Sequence, residues 1–343
     1  MTEACIAGRV PTTVEEWNRL LRPYATPNVY RSLTQLAVTL GLLFGCFAGM
    51  LLLDDFFGYW AGMLASVPTG LLLVRVFIIQ HDCGHHSFFR QRWACDWVGR
   101  CLGVLTLTPY LWWKRDHDRH HASSGDLSRR GFGDIDTMTV SEYRALSGWR
   151  RFLYRLYRHP VVLFGIGPLY QFLLRHRLPI GLKKGDRRSL VSILATDAAI
   201  AILLAGGDGL FGLGRFSALW LPTMGVAALV GVWMFFVQHQ FETTYWAWRG
   251  NWSFVTAALK GCSYYKLPAP LEWVTGSIGY HHIHHLASRI PNYRLQDCFR
   301  DIAPLRCVTV INFRQSLKCA RLALWSEEAQ RLLSFREANH LYA

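Results

Sequence analysis

The chain has 343 residues, of which 51% are hydrophobic, with 14 Trp and a formal net charge of +14. Its mean hydropathy is positive at +0.14, which excludes an ordinary soluble domain and points to an integral membrane protein. The basic residues alternate with aromatics along the flanks of apolar runs, so the charge fits anionic lipid headgroups and not nucleic acid. Nine cysteines, an odd number without a C-x-x-C pair, offer neither a disulfide framework nor a thiolate zinc site and read as reduced thiols facing a cytosol.

In chain order, residues 1–32 lack the apolar core of a signal peptide and form an amino-terminal segment ahead of the membrane. Within it, Thr12 or Thr13 followed by Glu15 and Glu16 predicts a capped anchoring helix with Trp17 and Tyr24 at the interface. Residues 33–53 carry no charge over the roughly 20 positions needed to cross a bilayer, and form the first predicted span. Asp54 and Asp55 connect it to a second span, 57–80, whose Arg75 is placed to snorkel toward the headgroups. Residues 98–113 and 161–174 are apolar but short, and read as half-embedded helices; 123–138 reads as a loop and 141–157 as a basic amphipathic helix. A third span, 190–205, a glycine-rich turn and a fourth span, 216–236, complete an all-α integral membrane protein of four transmembrane helices in two hairpins. There is no repeat, low-complexity tract or linker, so residues 1–343 read as one domain with a helical cap made of 81–188 and 237–343. Residues 80–188 hold 19 Lys and Arg whereas the opposite loops hold only Arg215, which orients the cap and both termini to the cytoplasm, most simply at a bacterial inner membrane.

The histidines concentrate in that cap. His281, His282, His284 and His285 fall within five positions, His117, His120 and His121 repeat the i, i+3, i+4 spacing, and His81 with His85 makes an i, i+4 pair. On a helix this spacing puts His281, His284 and His285 on one face and turns His282 away. His239 leaves the fourth span at the same depth as the others. Neutral imidazole is the commonest metal-ligating side chain, and nine candidates (His81, His85, His117, His120, His121, His239, His281, His284, His285) exceed what one ion coordinates, so two metals are implied. His86 and His282 stand as further candidates: His85 differs from His81 by about 40 degrees around a helix axis and His86 by about 140 degrees, which favours His85 unless the helix breaks there. Asp118, Asp126, Asp134, Asp136, Glu242 and Asn292 are candidates to hold the outer ring nitrogens.

HDCGHHSFF (81–89), HDRHH (117–121) and GYHHIHHLASRIPNYRL (279–295) resemble the three histidine boxes of the membrane fatty acid desaturase family, particularly bacterial and plastid-type acyl-lipid desaturases acting toward the methyl end. The resemblance runs from about Leu33 to Asp297 and includes QHQFE (238–242). It implies two non-haem iron ions, O2, an acyl lipid or other fatty-acyl substrate, and two electrons from a separate ferredoxin or cytochrome, since no fused cytochrome motif accompanies His159-Pro160. The chemistry agrees: an unactivated methylene offers no acidic proton and no leaving group, so redox chemistry at a metal is required. The alternatives are a related histidine-box hydroxylase or carotenoid ketolase, or a non-catalytic metal-binding membrane protein. The last is disfavoured because the histidines lie beyond the span ends and not at the midplane.

Overall fold

The computed structural model describes residues 10–131 and 133–341; the first nine residues of the amino-terminal segment lie outside the described residues. The chain is predominantly helical. Helix Val14–Leu21 is closed by a capping box in which the Thr13 hydroxyl accepts from the Glu16 amide at 3.2 Å and the Glu16 carboxylate accepts from the Thr13 amide at 3.3 Å. Trp17 and Leu21, one turn apart, share the face that packs into the main core, so Trp17 is buried and not an interfacial anchor. Tyr24 is half-buried and donates to Asp301 at 3.0 Å.

Among the described residues, four helices are long and apolar enough to cross a membrane: Val29–Phe57, Tyr59–Gly84, Arg187–Phe211 and Arg215–His239. Each extends beyond its expected apolar run, because polar residues at its ends find partners and continue the helix. Asp54 and Asp55 remain helical and bind Arg215 at 2.5 and 2.7 Å; the reversal is made by Gly58, whose φ of +83° is unfavourable for any side chain. The third helix likewise runs through Gly206–Phe211 before the turn at Gly212–Gly214. The apolar windows of the second and fourth helices are 61% and 39% buried, against 22% and 17% for the first and third, so the second and fourth form the inner pair. Their backbones approach closely at Gly70, where a Cβ would lie 2.7 Å from Val226. Arg75, expected to snorkel, is instead buried: Nε donates to Thr39 Oγ1 at 3.1 Å, Nη1 to the Trp273 carbonyl, and the guanidinium covers the Trp273 ring at 4.0 Å. A cation inside an apolar helix pair is held by donors and a π-face once water is excluded.

The cap is built from shorter helices. The 98–113 stretch is divided by a break at Thr106–Pro109 into Arg92–Leu105 and Tyr110–Ser123, and 141–157 is divided at Leu146–Ser147 into Val140–Ala145 and Gly148–Tyr157. Residues 162–174 are helical with π-type turns and present Ile166, Leu169, Tyr170 and Leu174 outward. Among the described residues, five short strands depart from the purely helical expectation. Met138–Thr139 lies parallel to Leu322–Ser326 with Met138 opposite Leu324, Leu322–Ser326 pairs antiparallel with Arg331–Ser334, and Tyr264–Lys266 lies parallel to Val310–Asn312. They tie the carboxy-terminal segment to the cap. Seven described cysteines are free thiols, but Cys307 is disulfide-bonded, contrary to the reading of all nine as reduced.

Candidate metal centre

The second long helix ends at Gly84, placing His81 in its last turn and His85 at its C-cap with helical dihedrals. The chain then turns out of the helix at His86, whose φ is +52°. His86 consequently points away from the cluster and its Nε2 lies 3.0 Å from Asp96, which also receives the Tyr110 hydroxyl at 3.1 Å. Helix Tyr110–Ser123 carries His117, His120 and His121; the His117 ring stacks on Trp113 at 4.7 Å with 14° between planes. The six-residue helix His281–Leu286 turns His281, His284 and His285 toward the other boxes, while buried His282 faces the opposite way, with Nε2 3.0 Å from the Leu305 carbonyl. His239 ends the fourth long helix.

These elements converge into two groups. His81, His85, His117, His121 and His284 form one, His120, His239, His281 and His285 the other, and within each group one nitrogen or more per ring lies within 4.8 Å of those of its neighbours. In the first, Nε2 atoms are separated by 3.0 Å (His117 and His85), 3.1 Å (His121 and His117) and 3.0 Å (His284 and His121). In the second, His239 Nε2 lies 3.1 Å from His120 Nε2 and 2.9 Å from His281 Nε2. Burial, reinforced by the neighbouring rings, holds His85, His117, His121, His281, His284 and His285 well below the usual histidine range, so they present neutral imidazole.

A metal fits this arrangement. Two facing neutral imidazoles can share a proton, but three or more converging on one point cannot all be satisfied that way. Nitrogens about 2.1 Å from an ion and at right angles lie about 3.0 Å apart, the separation seen here. Nε2 of His285 is buried without a hydrogen-bond partner among the described residues, a costly state for a neutral ring that a bound ion would relieve. With hard and borderline donors only, the set suits iron, zinc or copper.

Partners on the outer ring edges differ between groups. Asp134 binds His120 Nδ1, as its candidacy required. His239 Nδ1 faces Ser124 Oγ at 3.5 Å and Cys262 Sγ at 3.7 Å. Asn292 acts one step removed: its backbone amide and Nδ2 donate to Asp82 at 2.7 and 2.9 Å, its Oδ1 accepts from Gln35 at 2.9 Å, and Asp82 lies 3.5 Å from His81 Nδ1. Asp82 was absent from the sequence candidates although it directly follows the first histidine. The remaining candidates are engaged elsewhere: Asp118 with Lys114 at 2.7 Å, Asp126 with Arg249 at 3.2 Å, Glu242 with Arg331 at 2.9 Å, and Asp136 through its backbone with Tyr157 and Arg158.

Two cavities reach the histidines. One, of about 480 Å³, is walled by Leu73, Phe77, Met224 and Met234 of the inner helix pair and reaches His81, His117 and His281, touching both groups. The other, of about 620 Å³, opens between helix Val14–Leu21 and residues 286–289 and reaches His85, His121 and His285.

The family model described as fatty acid desaturase matches residues 57–310, which include all three boxes and His239. Over 99% of this chain and 95% of the relative, the sequence is 40% identical to a protein of Bacillus subtilis named fatty acid desaturase. It is 28% identical to an sn-1 acyl-lipid omega-3 desaturase (ferredoxin) of Synechocystis, covering 86% of this chain and 82% of that one. With an sn-1 oleoyl-lipid 12-desaturase of Synechocystis the identity is 26%, over 76% and 72%. Histidine groups, apolar helices and full-length likeness lead to one conclusion: the chain belongs to the fatty acid desaturase family and is an oxidoreductase acting on fatty acids.

Proposed function

We propose that the protein desaturates the acyl chains of membrane lipids, with His81, His85, His117, His121 and His284 holding one non-haem iron and His120, His239, His281 and His285 a second. Bound iron would supply the redox chemistry that joins O2 reduction to removal of hydrogen from the substrate. The overall reaction balances as follows: a CH2–CH2 unit, one O2, two electrons and two protons give CH=CH and two waters, with O2 taking two electrons from the acyl chain and two from the carrier. His86 and His282 lie outside the ligand set.

The observation that carries this reading is the apolar cavity that ends on histidines of both groups. A saturated chain offers nothing to hydrogen-bond, so recognition comes from burial, worth about 0.8 kcal/mol per methylene, and from a wall that fixes which carbons lie at the metals. Because that wall belongs to the inner pair of long helices, the chain enters from the bilayer; the acyl-lipid names of the relatives support a lipid-borne substrate, and their ferredoxin designation supports a separate protein electron donor. The four long helices form two hairpins across the bacterial inner membrane, with cap and termini cytoplasmic, as the charge asymmetry favours.

Expression in a host that makes only saturated and monounsaturated chains, followed by location of double bonds in each lipid class, tests the reading. New double bonds in intact lipids, accompanied by iron in the purified protein, are expected. Oxygenated lipids without new unsaturation would assign a hydroxylase or ketolase instead.

A further inference from the structure

The groove of about 620 Å³ is a second approach to the metal centre, and its character differs from that of the acyl cavity. Its floor is made by His85 and His121 of the five-histidine group and His285 of the four-histidine group. Its apolar wall includes Leu21 and Leu286, and its exposed rim carries Arg22 and Arg289. Among the described residues neither guanidinium forms an ion pair or a side-chain hydrogen bond, whereas Asp118, the one carboxylate lining the groove, is neutralised by Lys114 at 2.7 Å. An apolar wall leading to a floor of histidines from both groups, rimmed by two unpaired cations, matches a partner that must reach the metals without entering the acyl cavity and that carries negative charge.

We propose that this groove docks the electron carrier, a small acidic redox protein that sets carboxylates against Arg22 and Arg289 and delivers electrons through the imidazole edges of His85, His121 and His285. Each reduced carrier is oxidised by one electron and two successive encounters supply the two electrons of a turnover; no atom is transferred. The inference rests on the desaturase reading for the need of a carrier, and on the groove for its place.

The test uses the full-length, iron-loaded protein in nanodiscs with a plant-type [2Fe–2S] ferredoxin as probe. Affinity is measured by interferometry at several salt concentrations, and KM and kcat for reduced ferredoxin are measured separately. The pair Arg22→Glu/Arg289→Glu is compared with Arg144→Glu/Arg150→Glu, an equal charge change on exposed positions of other cap helices. Reversal at the groove is expected to weaken ferredoxin binding and raise its KM about tenfold at low salt, to flatten the salt dependence, and to leave iron content unchanged. The control pair, which does not line the groove, is expected to change either quantity less than about twofold, and Arg22→Lys/Arg289→Lys to retain most of the affinity. Equal effects of the two charge reversals, or unchanged affinity in the groove variant, overturn the assignment. Wild-type protein that binds ferredoxin yet makes no unsaturated product, even with a chemical reductant, contradicts the desaturase reading and not the docking site.

Discussion

The two histidine groups are built from the same side chain but not to the same plan. The five-histidine group draws one or two residues from each box and includes His117 and His121, which are half-buried and border the cavities; the four-histidine group is wholly buried, takes His239 from the end of a long helix, and has a carboxylate on one of its rings. Five imidazoles nearly complete an octahedral ion, whereas four leave more of the sphere open. The second group also depends more on each member, since loss of one ring leaves three.

Alanine substitutions should expose this asymmetry most strongly. His281→Ala or His239→Ala is expected to lose close to one whole metal per chain and all measurable desaturation. His85→Ala is expected to lose activity as well but to retain part of the metal in its five-membered group. Metal content and product are to be measured on the same folded preparation, and equal metal loss from both groups would remove the distinction. If His86→Ala empties the site while His85→Ala does not, the first box coordinates through the other histidine.

Asp134→Asn probes the outer edge of the four-histidine group alone. Partners of this kind typically contribute 10- to 100-fold in metal affinity, so competition with a chelator should weaken one metal by about that factor and spare the other. A smaller effect is expected in the acyl cavity. Gly231 lines it, and a Cβ there would meet nothing within 4 Å. Gly231→Leu should therefore fold normally and displace roughly two or three methylenes of substrate, about 2 kcal/mol or roughly 30-fold in kcat/KM on the longest chains, with shorter chains less affected.

The smallest effects belong to the histidines that face away. His282→Ala removes the hydrogen bond to the Leu305 carbonyl and is expected to cost about 1–3 kcal/mol of stability, with metal content unchanged. Burial pushes the His282 pKa down to about 3. Below about pH 6.5 the unfolded chain binds a proton there that the folded chain refuses, so the neutral ring's contribution to stability is complete above that pH and is lost as pH falls toward 3. His282→Asn should flatten the fall of Tm over that window in metal-free protein; an unchanged slope would assign the acid sensitivity to other groups.

Legibility in the sequence followed the range of the interaction. The i, i+3, i+4 spacing separates His282 from its neighbours because helical phase is local, whereas the end of the helix at Gly84 and the turn at His86 that carries this side chain toward Asp96 lie beyond what helical phase describes. Hydropathy puts Trp17 at the interface because it cannot tell a face that meets lipid from one that meets a cap built from residues far along the chain. The burial of Arg75 escapes a local reading for the same reason, since its acceptor at Trp273 lies 198 positions away. The strands pairing Met138 with Leu324 and Tyr265 with Ile311 leave little local signature, being two to five residues long and joined only through tertiary contact. Asp82 was missed because its role depends on Asn292, which meets it only when the first and third boxes come together.

Mössbauer spectroscopy of the purified, folded protein loaded with 57Fe, with total metal counted on the same sample, addresses the two-site assignment most directly. Two irons per chain in two distinct nitrogen-rich environments of equal weight are predicted, with His281→Ala removing one environment selectively. One metal per chain, or a single environment that disappears as a whole in that variant, would contradict the division of the nine histidines into two unlike sites.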